Sequence, residues 1–278
     1  MDEVGFVIES RDGTKLSAGR VGSGSPLVLV HGGLLGRVAW QFVAPLLAER
    51  HTVWSYDRRG HGDTPLGSGL SLDQEVEDLA AVLAQAGSDA HLVGHSVGAA
   101  LCLEAARQTR LRSLVLYEPA VHIDRLEGVF RRGTELLSRR DVEAFLELFL
   151  TEVAAVTDEE LAVLRSLPEA WAQLMDGATR YVEHSDVFAD QVEVSITAGW
   201  EPERYRSVEA PTLLLVGGLS RSPLFASPDD LREAVPHVEV ATIEGQRHMA
   251  TAFDPGGFAE AVLTFTSAHD EPSGGTTA

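Results

Sequence analysis

Five short, uninterrupted apolar runs recur along the chain, and they restrict its fold more than any other feature. They are Pro26-Leu27-Val28-Leu29-Val30-His31, Thr52-Val53-Trp54-Ser55-Tyr56-Asp57, His91-Leu92-Val93-Gly94, Ser113-Leu114-Val115-Leu116-Tyr117 and Thr212-Leu213-Leu214-Leu215-Val216. A strand with one wet face alternates apolar and polar residues. A run without alternation suits a strand covered on both faces, as in a parallel sheet. A sixth run, Val238-Glu239-Val240-Ala241-Thr242-Ile243, is more amphipathic and belongs toward an edge. Helical patterns lie between the runs, over 72–85, 97–107, 228–234 and 258–265. The first is capped by Ser71 and stops before Gly87, and the third has Ser227 as cap with Pro228 at its first position. Two short strands around Asp12-Gly13 read as an opening hairpin. Strands alternating with helices predict an α/β fold, with a mostly parallel sheet flanked by helices.

One stretch breaks this rhythm. Residues 120–206 contain no strand-like run and read instead as helices over 126–137, 141–155, 158–164 and 170–184. That is too long for a simple crossover, so a helical cap inserted over the sheet is expected. The core would then comprise 1–119 and 207–268. The polar, Gly-rich stretch 269–278 reads as a disordered tail.

Composition narrows the partners. The 278 residues carry a formal charge of −20, which disfavours phosphate backbones and anionic lipid. A small-molecule substrate is expected, without nucleic acid or membrane, in a monomer or homodimer. The single cysteine, Cys102, cannot form a disulfide within the chain and lies in the apolar run Ala99-Ala100-Leu101-Cys102-Leu103. No apolar run approaches the roughly 20 residues that span a bilayer. The acidic start, Met1-Asp2-Glu3-Val4-Gly5, lacks a signal region, so a cytoplasmic protein is expected. No metal or organic cofactor is implied.

The segment Gly94-His95-Ser96-Val97-Gly98 fits the pattern Gly-x-Ser-x-Gly, with a strand before it and a small-residue helix after it. In such an elbow the serine occupies a strained strand-to-helix turn, and small neighbours let strand and helix approach closely. The helix N-terminus beneath it favours developing negative charge. Ser96 is thus the candidate nucleophile. A base must accept its proton, and the best placed histidine follows the last strand, in Gly245-Gln246-Arg247-His248. His237 precedes that strand and His269 lies in the tail, so both are poorer candidates.

Four segments taken in order carry a family resemblance: His31-Gly32-Gly33-Leu34-Leu35-Gly36, Asp57-Arg58-Arg59-Gly60-His61-Gly62, the elbow, and the His248 loop. The chain resembles the α/β-hydrolase superfamily, in particular its small cap-bearing esterase, haloperoxidase-like and C–C hydrolase group. The resemblance spans roughly residues 5 to 266 and is weak in the cap. It implies an oxyanion hole formed by the amides of Gly33 and Val97. It also implies structural roles for His31, Asp57, Arg58 and His61. The departure lies in the acid that should orient His248. Where the family usually has Asp, after the strand 212–216, this chain has Ser220. Asp229 and Asp230 fit a helix first turn better. Other members place the acid after the preceding strand, which makes Glu118 the expected acid and Asp124 the alternative. Leu34, Arg37, Trp40, Phe145, Phe149, Trp171 and His184 are candidate pocket residues.

The resulting expectation is a serine hydrolase of a small ester, lactone or thioester acting through an acyl-serine. A C–C bond hydrolase, or a non-hydrolytic cyclase or lyase, using the same residues stays open. So does a non-catalytic ligand-binding protein. Relatives that open epoxides or remove halide carry a carboxylate in place of the serine, which disfavours those reactions.

Overall fold

A computed structural model describes residues 3–87 and 89–270. Eight strands form one sheet: β1 (Val4–Glu9), β2 (Lys15–Gly22), β3 (Ser25–Val30), β4 (His51–Tyr56), β5 (His91–His95), β6 (Ser113–Tyr117), β7 (Thr212–Gly217) and β8 (Val238–Ile243). Their order is β1-β2-β4-β3-β5-β6-β7-β8. The β1–β2 hairpin and the β2–β4 pairing are antiparallel; every other pairing is parallel. The five apolar runs form the interior, where β3, β5 and β6 are almost wholly buried. The amphipathic sixth run forms the β8 edge.

Two apolar layers sandwich the sheet. On one face the helices Leu72–Ala86 and Val97–Ala106 bury Leu79, Val82, Leu101 and Leu103 against Val28, Leu92 and Leu114. On the other, Trp40, Leu47 and the helix Pro255–Ala268, through Phe258, Val262 and Phe265, cover Leu29, Val93 and Val115. Cys102 belongs to the first layer and is fully buried.

Between β6 and β7 the chain makes five α-helices: Glu127–Ser138, Val142–Leu148, Asp158–Ser166, Pro168–Glu183 and Ser185–Ala198. A single π-turn over Phe149–Val153 extends the second, which is why one continuous pattern was legible from 141 onward. The capping box of Thr157 and Glu160 starts the third. The fifth has no counterpart among the expected helices. These helices bury their own cluster, including Leu137, Phe145, Leu146, Leu164, Leu174 and Val182. Leu34, from the loop after β3, packs into it.

Two residues expected in the tail are anchored. His269 Nδ1 bonds the Phe265 carbonyl at 2.8 Å, and Asp270 pairs with Arg112 at 3.1 Å. Residues 271–278 lie outside the described residues. No helix among the described residues is long and apolar enough to cross a membrane.

Candidate active site

The strand order reverses between β3 and β5, where consecutive connections leave in opposite directions. A crevice opens there at the carboxyl ends of the strands, the usual place for a ligand in such a sheet. The loops after β3, β5, β6 and β8 converge on it.

Ser96 follows β5 and precedes the helix Val97–Ala106, at φ 58° and ψ −124°. A non-glycine residue at positive φ costs about 1–3 kcal/mol and persists only where its surroundings impose it. Here the two elbow glycines show what imposes it. A Cβ on Gly98 would lie 2.3 Å from the His31 carbonyl oxygen, and one on Gly94 would lie 2.6 Å from Ala99 Cα. The helix therefore packs directly against backbone, and the serine is held at its tip.

His248 enters from the loop after β8. Its Nδ1 lies 2.7 Å from Glu118 Oε2, with both side chains buried. Glu118 stands just past β6 at φ 46°, and its Oε1 accepts the Gly217 N–H at 2.8 Å. With Glu118 as acceptor, Nδ1 carries the proton and Nε2 is the basic nitrogen. Ser96 and His248 border one cavity without a hydrogen bond between them in this rotamer, and such bonds are often long before substrate binds. Asp124 is exposed in a short 3₁₀ turn, so Glu118 is the acid that meets the histidine. Asp230 instead closes a capping box with Ser227.

Three residues hold the His248 loop that sequence reasoning did not single out. The Tyr117 hydroxyl donates to the Arg247 carbonyl and receives the Ala250 N–H. His95 Nε2 donates to the His248 carbonyl at 3.0 Å. Burial, with His248 beside it, keeps the His95 ring well below its usual pKa and so neutral. Phe225 stacks on the His248 ring at 4.1 Å between centroids. Tyr117 and His95 adjoin Glu118 and Ser96 in sequence, which was a readable signal; Phe225 carried none.

The amides of Gly33 and Val97 have no acceptor among the described residues. For Val97 this follows from its place as the first residue of a helix. Both residues border a cavity of about 250 Å³ together with Ser96. A second cavity, of about 100 Å³, lies on the His248 side and shares Gly33, Ser96 and Phe149 with the first. The larger one runs along the helix face made by Val97, Ala100, Leu101 and Glu104, a length of about 10 Å. Its walls are mainly apolar and include Phe130, Leu137, Phe145, Val153 and Phe188. Its charged residues are paired: Arg58 with Glu75 at 2.7 Å and Arg204 with Glu104 at 2.9 Å.

Of the expected pocket residues, Leu34, Phe145 and Phe149 border these cavities; the other four border neither. Trp40 is buried beneath the site, edge-on to His95 and against Phe258. Arg37 turns to the loop after β4, where its N–H meets Asp57 Oδ1 at 2.6 Å. Trp171 lies under the Arg165 guanidinium, and His184 ends the helix Pro168–Glu183. Helical spacing alone could not separate cavity-facing aromatics from those that pack.

The expected structural histidines have structural contacts. His31 Nε2 accepts the Arg58 N–H at 2.9 Å, so its Nδ1–H donates to the Gly32 carbonyl. Among the described residues one group of metal-ligand type, His51, His91 and Asp270, lies at the opposite end of the strands. Ser25, Thr266, Ser113 and Arg112 already engage its atoms, tying the starts of the strands to the C-terminal helix.

Sheet order, elbow and helical insertion together define an α/β-hydrolase. The sequence profile of the alpha/beta hydrolase family matches residues 27–261, and the chain belongs to that family. N-formylmaleamate deformylase of Pseudomonas putida is 31% identical over 85% of this chain and 87% of its own. Esterase YbfF of Escherichia coli is 27% identical over 87% and 92%. The crystal structure of an alpha/beta hydrolase from Sphaerobacter thermophilus superposes with a TM-score of 0.75 at 29% identity, covering 94% of this chain and all of that one.

Proposed function

We propose that the protein is a serine hydrolase of a neutral small-molecule ester, lactone or thioester. The observation that carries this reading is a strained Ser96 facing the same cavity as His248, whose Nδ1 is engaged by Glu118. In the forward step Ser96 Oγ attacks the substrate carbonyl carbon while His248 Nε2 takes its proton. Glu118 stabilises the imidazolium. The Gly33 and Val97 amides receive the charge that develops on the carbonyl oxygen, a contribution of about 3 kcal/mol per donor in comparable sites. The tetrahedral intermediate collapses, and His248 returns the proton to the departing alcohol or thiol. Water then attacks the acyl-serine with His248 as base, which frees the acid and restores Ser96.

Neutrality of the substrate follows from the paired charges. A carboxylate near Arg58 would compete with Glu75 for a buried guanidinium, and the remaining walls of the larger cavity are mainly apolar. The helices between β6 and β7 act as the cap, and the larger cavity beneath them takes the bulkier part of the substrate. The deformylase relative makes an N-acyl bond the second bond type to screen.

The test is labelling with a fluorophosphonate, read by intact mass and peptide mapping. One adduct per chain at Ser96, absent in Ser96→Ala and His248→Ala, is expected. Folded protein that stays unlabelled would reject the reading and bring forward the C–C, non-hydrolytic and ligand-binding alternatives.

A further inference from the structure

Leu34, next to the amide proposed to receive the oxyanion, has φ 65°. A leucine does not adopt that backbone by preference, because its Cβ crowds the neighbouring carbonyl. The helix Pro168–Glu183 supplies two contacts that hold it. Gly177 lies so close that a Cβ there would sit 2.3 Å from the Leu34 carbonyl oxygen. One turn later, the Tyr181 hydroxyl lies 3.4 Å from the Leu34 nitrogen and 3.1 Å from His61 Nε2.

The direction of these hydrogen bonds can be worked out. His61 Nδ1 faces the Arg59 carbonyl at 3.0 Å, so Nδ1 carries the proton. The ring is buried beside the Arg58 guanidinium and therefore neutral, with its pKa lowered to about 3. Nε2 is then an acceptor, and the Tyr181 O–H must donate to it. The phenol oxygen keeps a lone pair for the Leu34 N–H. The chain of bonds runs from Leu34 through Tyr181 and His61 to the Arg59 carbonyl, with every group used in its one available sense. Phe188 fixes the phenol ring by parallel stacking at 3.9 Å between centroids.

We propose that Tyr181 is a positioning residue: its hydroxyl holds the loop after β3 so that the Gly33 amide faces the oxyanion, making amide alignment depend on the seated cap. This rests on the serine-hydrolase reading. Neither Tyr181 nor His61 exchanges a proton with substrate; they fix a backbone plane. A loop left to relax at Leu34 would still bind substrate but would stabilise the transition state less, which lowers kcat and leaves KM.

The experiment measures the fluorophosphonate labelling rate, kcat and KM on an ester, and Tm, for wild type and Tyr181→Phe. The phenylalanine keeps the stack on Phe188 and removes only the hydroxyl. Labelling rate and kcat are expected to fall about tenfold or more, with KM within about twofold and Tm nearly unchanged. A wild type labelled at Ser96 and a variant labelled equally fast would overturn this inference while leaving the hydrolase reading intact. So would a loss confined to Tm, or a rise in KM alone, since either marks a packing or binding role. A wild type that cannot be labelled would overturn both.

Discussion

Glu118 and His248 meet at 2.7 Å although 130 residues separate them, one just past β6 and the other after β8. The same carboxylate takes the Gly217 N–H with its second oxygen. That carboxylate is thus braced by the end of β7, the strand between the two.

Removing that carboxylate should expose its role. In Glu118→Ala the imidazole loses the acceptor that sets its tautomer and balances its charge. We expect kcat on any turned-over ester to fall by at least roughly tenfold, with the fold retained by circular dichroism. An unchanged rate would remove Glu118 from the machinery.

Ser220 offers a route back. Its hydroxyl is buried without a partner and lies 2.9 Å from where a Cβ on Gly217 would stand. A carboxylate at 220 would stand beside Gly217, whose N–H now binds Glu118. Ser220→Asp placed on Glu118→Ala should recover on the order of tenfold in kcat over the single variant. No recovery would mean that position 220 cannot reach His248.

Acid should destabilise the fold. Burial holds His91 at about 4 and His61 at about 3, below the usual histidine value. As pH drops below about 6.5, the unfolded chain takes up protons that the folded chain refuses. Each such group then contributes a loss of up to about 1.4 kcal/mol per pH unit until its folded pKa is reached. Tm should therefore decline steadily from pH 6.5 to 4. A flat profile over that range would show that these rings are not buried and neutral.

Asp78 should be costly to remove. Its two oxygens take the Nε and Nη2 of Arg59 at 2.8 and 2.7 Å, and both side chains are almost fully enclosed. Asp78→Ala leaves a buried guanidinium poorly matched, an expected loss of about 3–5 kcal/mol in urea unfolding. A loss under about 1 kcal/mol would mean that water or Asp12 takes over the charge.

The sequence by itself determined the layering of the fold and the identity of Ser96 and His248 as candidates. Buried strands write continuous apolar runs, edge strands write mixed ones, and a close strand-to-helix approach demands glycine at 94 and 98. These are local constraints, so a linear reading recovers them. Glu118 was only half legible: its place at a strand end was visible, but its meeting with His248 depends on β7 lying between β6 and β8. Trp171 and His184 border neither cavity, because helical spacing records which residues share a face and not what that face meets; Trp40, expected at the pocket because it follows the loop after β3, is buried beneath the site. Tyr181, His61 and Leu34 come from three separate segments. Their contact exists only once the helices between β6 and β7 are seated on the sheet, so tertiary structure alone decided it.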